Sequence, residues 1–190
     1  MLEIVFIRNA DGEDEDLSQE VKNQCRRAGR LLEELGLRPD LIITSDAPRS
    51  KRTGEFIAQG LKIPPSLPQR IEMPESRYFA PDQETYDAEL RPIFKELGVD
   101  QPMSMYLRRD TKGIFLAQAQ RVADKIRSEA SARFGQRRTL VLVVGRHILQ
   151  NLVGLTIAPN NPILMGSEFL HLTGYRIDED GLVCAVDLST

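Results

Sequence analysis

No apolar run in these 190 residues approaches the roughly 18 that a membrane-spanning helix needs. No positively charged segment leads into a hydrophobic stretch with a small-residue cleavage site. These absences give the expectation of a soluble cytoplasmic protein. Cysteine is scarce: Cys25 and Cys184 are far apart in sequence and fall at expected core positions, so buried reduced thiols are expected rather than a disulfide or a zinc site. An excess of either charge is also missing, with 25 basic against 28 acidic residues. Bulk electrostatics therefore imply neither a nucleic-acid nor an anionic-membrane partner, and any anion site has to be local. The acidic run Asp11-Gly12-Glu13-Asp14-Glu15-Asp16 lacks the alternating ligands and terminal glutamate of a calcium loop and reads as a solvated loop. No metal and no cofactor is expected. There is no internal repeat and no low-complexity segment.

What the chain does have is a series of short apolar runs that end in charge. Leu2 to Ile7 is a β-branched run that closes on Arg8-Asn9, the pattern of a buried parallel strand delivering polar residues from its C-terminal end. Ser18 is placed as an N-cap, and behind it Val21, Cys25, Ala28, Leu32 and Leu35 recur at helical spacing up to Gly36. Leu41 to Thr44 is a second short strand. Ser45-Asp46-Ala47-Pro48 leads from it into a helix with Arg49 at its start, where backbone N–H groups and an arginine fork together suit phosphate. Residues 61–81 read as a connector over the sheet, and 83–97 and 111–134 as helices. In the second of these helices Phe115, Ala119, Val122, Ile126 and Ala130 form the apolar stripe. Leu140 to Val144 is the most strongly β run, and it too ends in charge, at Gly145-Arg146-His147. A helix over 148–155 and a hairpin around Asp178-Glu179-Asp180-Gly181 complete the chain. Strand alternating with helix argues a single α/β domain over 1–190, with 64–109 as a connector or cap insertion.

Taken in order, the strand ending at Arg8, Leu17-Ser18, the stretch from Pro39 to Ala58, and the strand 140–144 with its turn resemble the histidine phosphatase superfamily, the phosphoglycerate mutase-like fold. The most specific part is Leu41 to Glu55: a strand, serine, an arginine followed by a small residue (Arg49-Ser50), and a threonine four positions after that arginine (Thr53). The short first connection is similar to the small phosphohistidine-phosphatase branch. The resemblance implies a three-layer α/β/α sandwich with a mostly parallel central sheet and a phosphate pocket at its C-terminal edge. It also implies a covalent mechanism, in which a histidine beside the first arginine attacks phosphorus and a second histidine after the late strand steadies the transferring group. Arg8 and Arg49 match the phosphate-binding arginines. Glu75, in Glu75-Ser76-Arg77-Tyr78, is the candidate acid, ahead of Glu84 and Asp87.

Two positions depart from this pattern. The nucleophile position is Asn9, and an amide nitrogen, its lone pair delocalised into the carbonyl, cannot accept a phosphoryl group as a neutral imidazole can. At the second, ungapped alignment puts Arg146 in the pocket in place of the second histidine, while a one-residue shift would put His147 there. His171 reads as a structural histidine on a strand. The expectation is a phosphatase (phosphoric monoester hydrolase) fold without its expected nucleophile, a pseudoenzyme that binds a phosphorylated small molecule or phosphoprotein through Arg8, Arg49 and Arg146. Two alternatives stand beside it. One is an active phosphomonoester or phosphohistidine phosphatase that uses His147 or of which this chain is a substituted form. The other is an interaction scaffold with no phosphate function.

Overall fold

The computed structural model describes residues 1–10, 17–64, 70–72, 80–98, 101–159, 161–166 and 170–189. The acidic run and Glu75 lie outside them, as do the side chains of His147 and of residues 70–72. The strands are β1 (Leu2–Arg8), β2 (Leu41–Thr44), β3 (Arg70–Glu72), β4 (Thr139–Gly145), β5 (Thr173–Ile177) and β6 (Val183–Asp187). They form one six-stranded sheet in the order β3-β2-β4-β1-β5-β6. The pairings β3–β2, β2–β4 and β4–β1 are parallel, and β5 and β6 add antiparallel at one edge.

Alternation along the strands decides which helices cover which face. In β1, Ile4 and Phe6 point to one side and Val5 and Ile7 to the other, all buried. The Val5 side packs on α1 (Gln19–Glu34) and α2 (Pro48–Gly60) through Cys25, Ala28, Leu32, Ile57 and Ala58. The Ile4 side packs on α6 (Ile114–Phe134) and α7 (His147–Ile157), with Phe115, Ala119, Val122, Ile126 and Ala130 as the α6 stripe. This is the expected three-layer α/β/α sandwich. The two helices on the Val5 side come close enough to need glycine: a Cβ on Gly29 would lie 2.2 Å from the Ile57 carbonyl oxygen, and one on Gly60 would lie 2.1 Å from that of Arg26. Backbone-to-backbone packing therefore seats α2, whose first turn faces the sheet edge.

The insertion shares this core. Ala80, Leu90, Ile93, Met103 and Tyr106 are buried in the cluster that contains Phe6 and Phe115. Its secondary structure is more broken than the sequence indicates. The helical stretch over 83–97 divides into α3 (Gln83–Thr85), a wide π-type turn (Tyr86–Leu90) and α4 (Arg91–Leu97), and a further helix, α5 (Met103–Arg109), follows. Residues 70–72 also add a sixth strand to the sheet from within the connector.

Two sequence expectations change at the residue level. Ser18 caps α1 as expected, accepting from the Val21 N–H at 3.2 Å, and the helix ends at Glu34, with Gly36 as its stop. Leu35, now the cap residue before the left-handed Gly36 (φ 70°), turns out to solvent instead of closing the apolar stripe. Cys25 is buried, and desolvation pushes its thiol up to about 12, so it stays an unreactive thiol. Cys184, in contrast, is exposed, because β6 is the edge strand and both Cys184 and Ala185 face solvent there. Among the described residues no helix is long and apolar enough to cross a membrane.

Candidate anion site

Parallel pairing makes three strands finish together. Arg8 of β1 lies opposite Gly145 of β4, and Val144 lies opposite Thr44 of β2. The ladder runs one residue further on each side: Asn9 N–H donates to the Gly145 carbonyl at 3.0 Å, and Ser45 N–H donates to that of Val144 at 3.3 Å. Two helices of adequate length then start at this edge. α2 begins at Pro48, where proline is suited to the first helical position, and carries Arg49 next to it. α7 begins at His147 with Arg146 as its exposed N-cap residue. The positive ends of two helix dipoles and the residues Arg8, Arg49 and Arg146 are thus delivered to one edge.

Thr53 ties two of these pieces together. Its buried hydroxyl accepts from Ala10 N–H at 3.1 Å and donates to the Arg49 carbonyl at 2.8 Å, so the turn leaving β1 is fastened to the first turn of α2. The side chain is fully buried, and a valine there would keep the shape while leaving the Ala10 N–H unsatisfied. Thr53→Val is expected to cost about 1–3 kcal/mol of stability, read by denaturant unfolding. Ser45, just past β2, and Ser50, in the first turn of α2, are 2% and 1% exposed, and neither hydroxyl oxygen has a hydrogen-bond partner among the described residues. Both can donate, and Ser50 directly follows Arg49 in the first turn of α2, a composition that suits an anion.

Asn9 itself is 5% exposed, and its side-chain amide donates to the Ala10 carbonyl at 3.1 Å. That bond commits the amide to the local backbone. Arg8 and Arg49 are both half-buried at this edge. Asp87, one of the lesser acid candidates, is engaged elsewhere: it accepts from Gln83 at 2.7 Å and pairs with Arg91 at 2.6 Å. Among the described residues no group of histidine, cysteine, aspartate and glutamate is arranged to hold a metal ion.

One residue of this edge escapes the sequence reading, and another is placed differently by it. Gln150 is buried on α7 and donates through Nε2 to the Ile7 carbonyl at 2.7 Å and, more weakly, to that of Val143 at 3.4 Å, pinning the ends of β1 and β4 under the helix. The buried Tyr175 hydroxyl donates in turn to the Gln150 carbonyl. A glutamine inside the apolar run Ile148-Leu149-Gln150-Asn151-Leu152-Val153 is the one sequence signal for it, since a buried amide needs partners. The other is His171. It stands in a turn ahead of β5 rather than on a strand, and its Nδ1 lies 2.7 Å from the Asn9 carbonyl oxygen.

By sequence, the chain matches no family model and no curated protein. By structure it is similar to phosphoglycerate mutase from Bacillus anthracis str. Sterne, with 16% identity, TM-score 0.66, and coverage of 99% of this chain and 94% of the other. It is also similar to the protein histidine phosphatase SixA complexed with tungstate, at 14% identity and TM-score 0.58, with 97% and 94% covered. A third likeness is a histidine-to-alanine mutant of phosphoserine phosphatase from Entamoeba histolytica in complex with phosphoserine, at 11% identity and TM-score 0.55, with 98% and 96% covered. The strand order, the three layers and these end-to-end likenesses give the chain the histidine phosphatase, or phosphoglycerate mutase-like, fold.

Proposed function

We propose that this protein binds a phosphomonoester, on a small molecule or on a protein, at the edge where β1, β2 and β4 end, and that it turns such ligands over poorly. The observation that carries the reading is the Thr53 bridge, which fastens the turn after Arg8 to the helix start bearing Arg49. Two permanently charged guanidinium groups then serve one anion, with Arg146 as a third from the start of α7. Each charge-assisted hydrogen bond contributes about 1.5–3 kcal/mol, so affinity survives without a nucleophile. The orphaned hydroxyls of Ser45 and Ser50 add neutral donors.

Poor turnover follows from Asn9, whose amide has no lone pair to give to phosphorus. The phosphoserine phosphatase mutant offers a parallel, since it lacks a histidine and still holds phosphoserine. Glu75 is the proposed proton donor to a leaving oxygen, and Arg146 or His147 the group standing where the family places its second histidine. Calorimetric titration with inorganic phosphate and with vanadate tests the reading. Saturable binding at one site is expected, and no binding of either anion would reject it in favour of a scaffold without phosphate function.

A further inference from the structure

A buried amide on α7 touches the ends of both central strands that reach the site. Gln150 is 3% exposed, and its Nε2 donates to the Ile7 carbonyl at 2.7 Å and to the Val143 carbonyl at 3.4 Å. Only the nitrogen end of an amide can face two carbonyl oxygens, so its orientation is set by chemistry. The Ile7 carbonyl belongs to the peptide plane from which Arg8 leaves β1, and the stronger bond holds that plane against α7. Main-chain atoms of the same residue hold the other side. Gln150 N–H donates to the Arg146 carbonyl at 3.2 Å, closing the first turn of α7. Arg8 and Arg146 are therefore joined through one residue, by its side chain to β1 and by its backbone to the helix start.

Gln150 is itself held from β5. Its carbonyl accepts from the buried Tyr175 hydroxyl, and the Tyr175 ring stacks on Phe6 of β1 with centroids 4.9 Å apart. That approach needs Gly154, one turn further along α7, where a Cβ would lie 2.6 Å from the Tyr175 hydroxyl oxygen. Stability alone does not account for the amide. Its Oε1 is buried with no hydrogen-bond partner among the described residues, an unsatisfied acceptor that a methionine of similar size would not bury in this apolar run. Departures of this kind from a well-satisfied core gather at functional sites.

We infer that Gln150 is a positioning residue of the anion site, fixing the spacing of Arg146 from Arg8 so that both guanidinium groups serve one phosphate. It touches no ligand and acts through Arg146. The inference rests on the phosphate site proposed above. Thr53 joins the turn after Arg8 to Arg49, and Gln150 supplies the second tie, from Arg8 to the third arginine.

The test is calorimetric titration of the full chain with inorganic phosphate, well below the melting temperature, in a cycle of Gln150→Met, Arg146→Ala and the double variant. Gln150→Met keeps the volume and loses the donors. It is expected to weaken binding by about fivefold or more in the wild-type background but by less than about twofold in the Arg146→Ala background, where the arginine it would misplace is already gone. A purely structural amide would lower the melting temperature and leave the affinity of the folded protein alone. Unchanged affinity in Gln150→Met, or an equal loss in both backgrounds, would overturn the inference while leaving the phosphate site standing. Should the methionine variant fail to fold, Tyr175→Phe takes its place in the cycle, since it keeps the ring on Phe6 and removes the tie to the Gln150 carbonyl. A loss of about twofold or more that vanishes without Arg146 is then expected, and no loss would overturn the inference. A wild-type chain that binds no phosphate would remove both readings.

Discussion

Asn9→His is expected to raise phosphate release from p-nitrophenyl phosphate by about a thousandfold, because removing a covalent nucleophile ordinarily costs several orders of magnitude when the rest of a site is intact. The scaffold around position 9 is in place. Its N–H is bonded to the Gly145 carbonyl, its carbonyl to His171, and the following residue to Thr53. The larger ring has to enter a position that is 5% exposed, and overpacking costs about 1–3 kcal/mol, so a lowered melting temperature should accompany the gain. The measurement is a steady-state assay of both forms, with phosphate binding as the control for a folded site. An Asn9→His variant that folds and binds phosphate but shows no increase would point to a second lesion at Arg146, one of the two residues proposed to stand where a second histidine is expected, since a guanidinium exchanges no proton.

Arg49→Ala should weaken phosphate binding by about 10- to 100-fold, the equivalent of roughly 1.5–3 kcal/mol for one charge-assisted contact. Arg49 combines two contributions, its own guanidinium fork and a seat in the first turn of α2, where the helix dipole also favours an anion. Alanine keeps the helix and the backbone carbonyl that accepts from Thr53, so stability should change little while affinity falls. Titration calorimetry on wild type and variant reads the ratio directly. Raising the ionic strength should reduce the difference, since a half-buried arginine is only partly shielded from salt.

The fold was legible because its signals are local and periodic. β1 and β4 appear as short apolar runs closing on charge, β2 as a short apolar run, and the α6 stripe follows helical spacing, so an α/β fold with Arg8 and Arg146 at neighbouring strand ends is legible in the chain, while the three layers and the pocket are what the resemblance implies. What escaped is set by contacts across the fold. β3 is only three residues and becomes a strand through its partner β2, and helical periodicity over 83–97 gives no hint of the π-type turn that divides it. Cys184 is placed like a core residue by the sequence, yet it is exposed on the edge strand β6. His171 shows the same limit at the site. A lone histidine in a tail reads as structural, and its meeting with a carbonyl 162 positions earlier depends on β5 pairing antiparallel with β1.

One phosphate-like anion is proposed to sit among Arg8, Arg49 and the start of α7. A crystal structure of the unaltered chain soaked in tungstate tests it most directly, because the heavy anion is unmistakable in anomalous maps. A single strong peak within hydrogen-bonding reach of both the Arg8 and Arg49 guanidinium groups is expected. Tungstate bound elsewhere, with these two arginines turned to other partners and no peak between them, would contradict it.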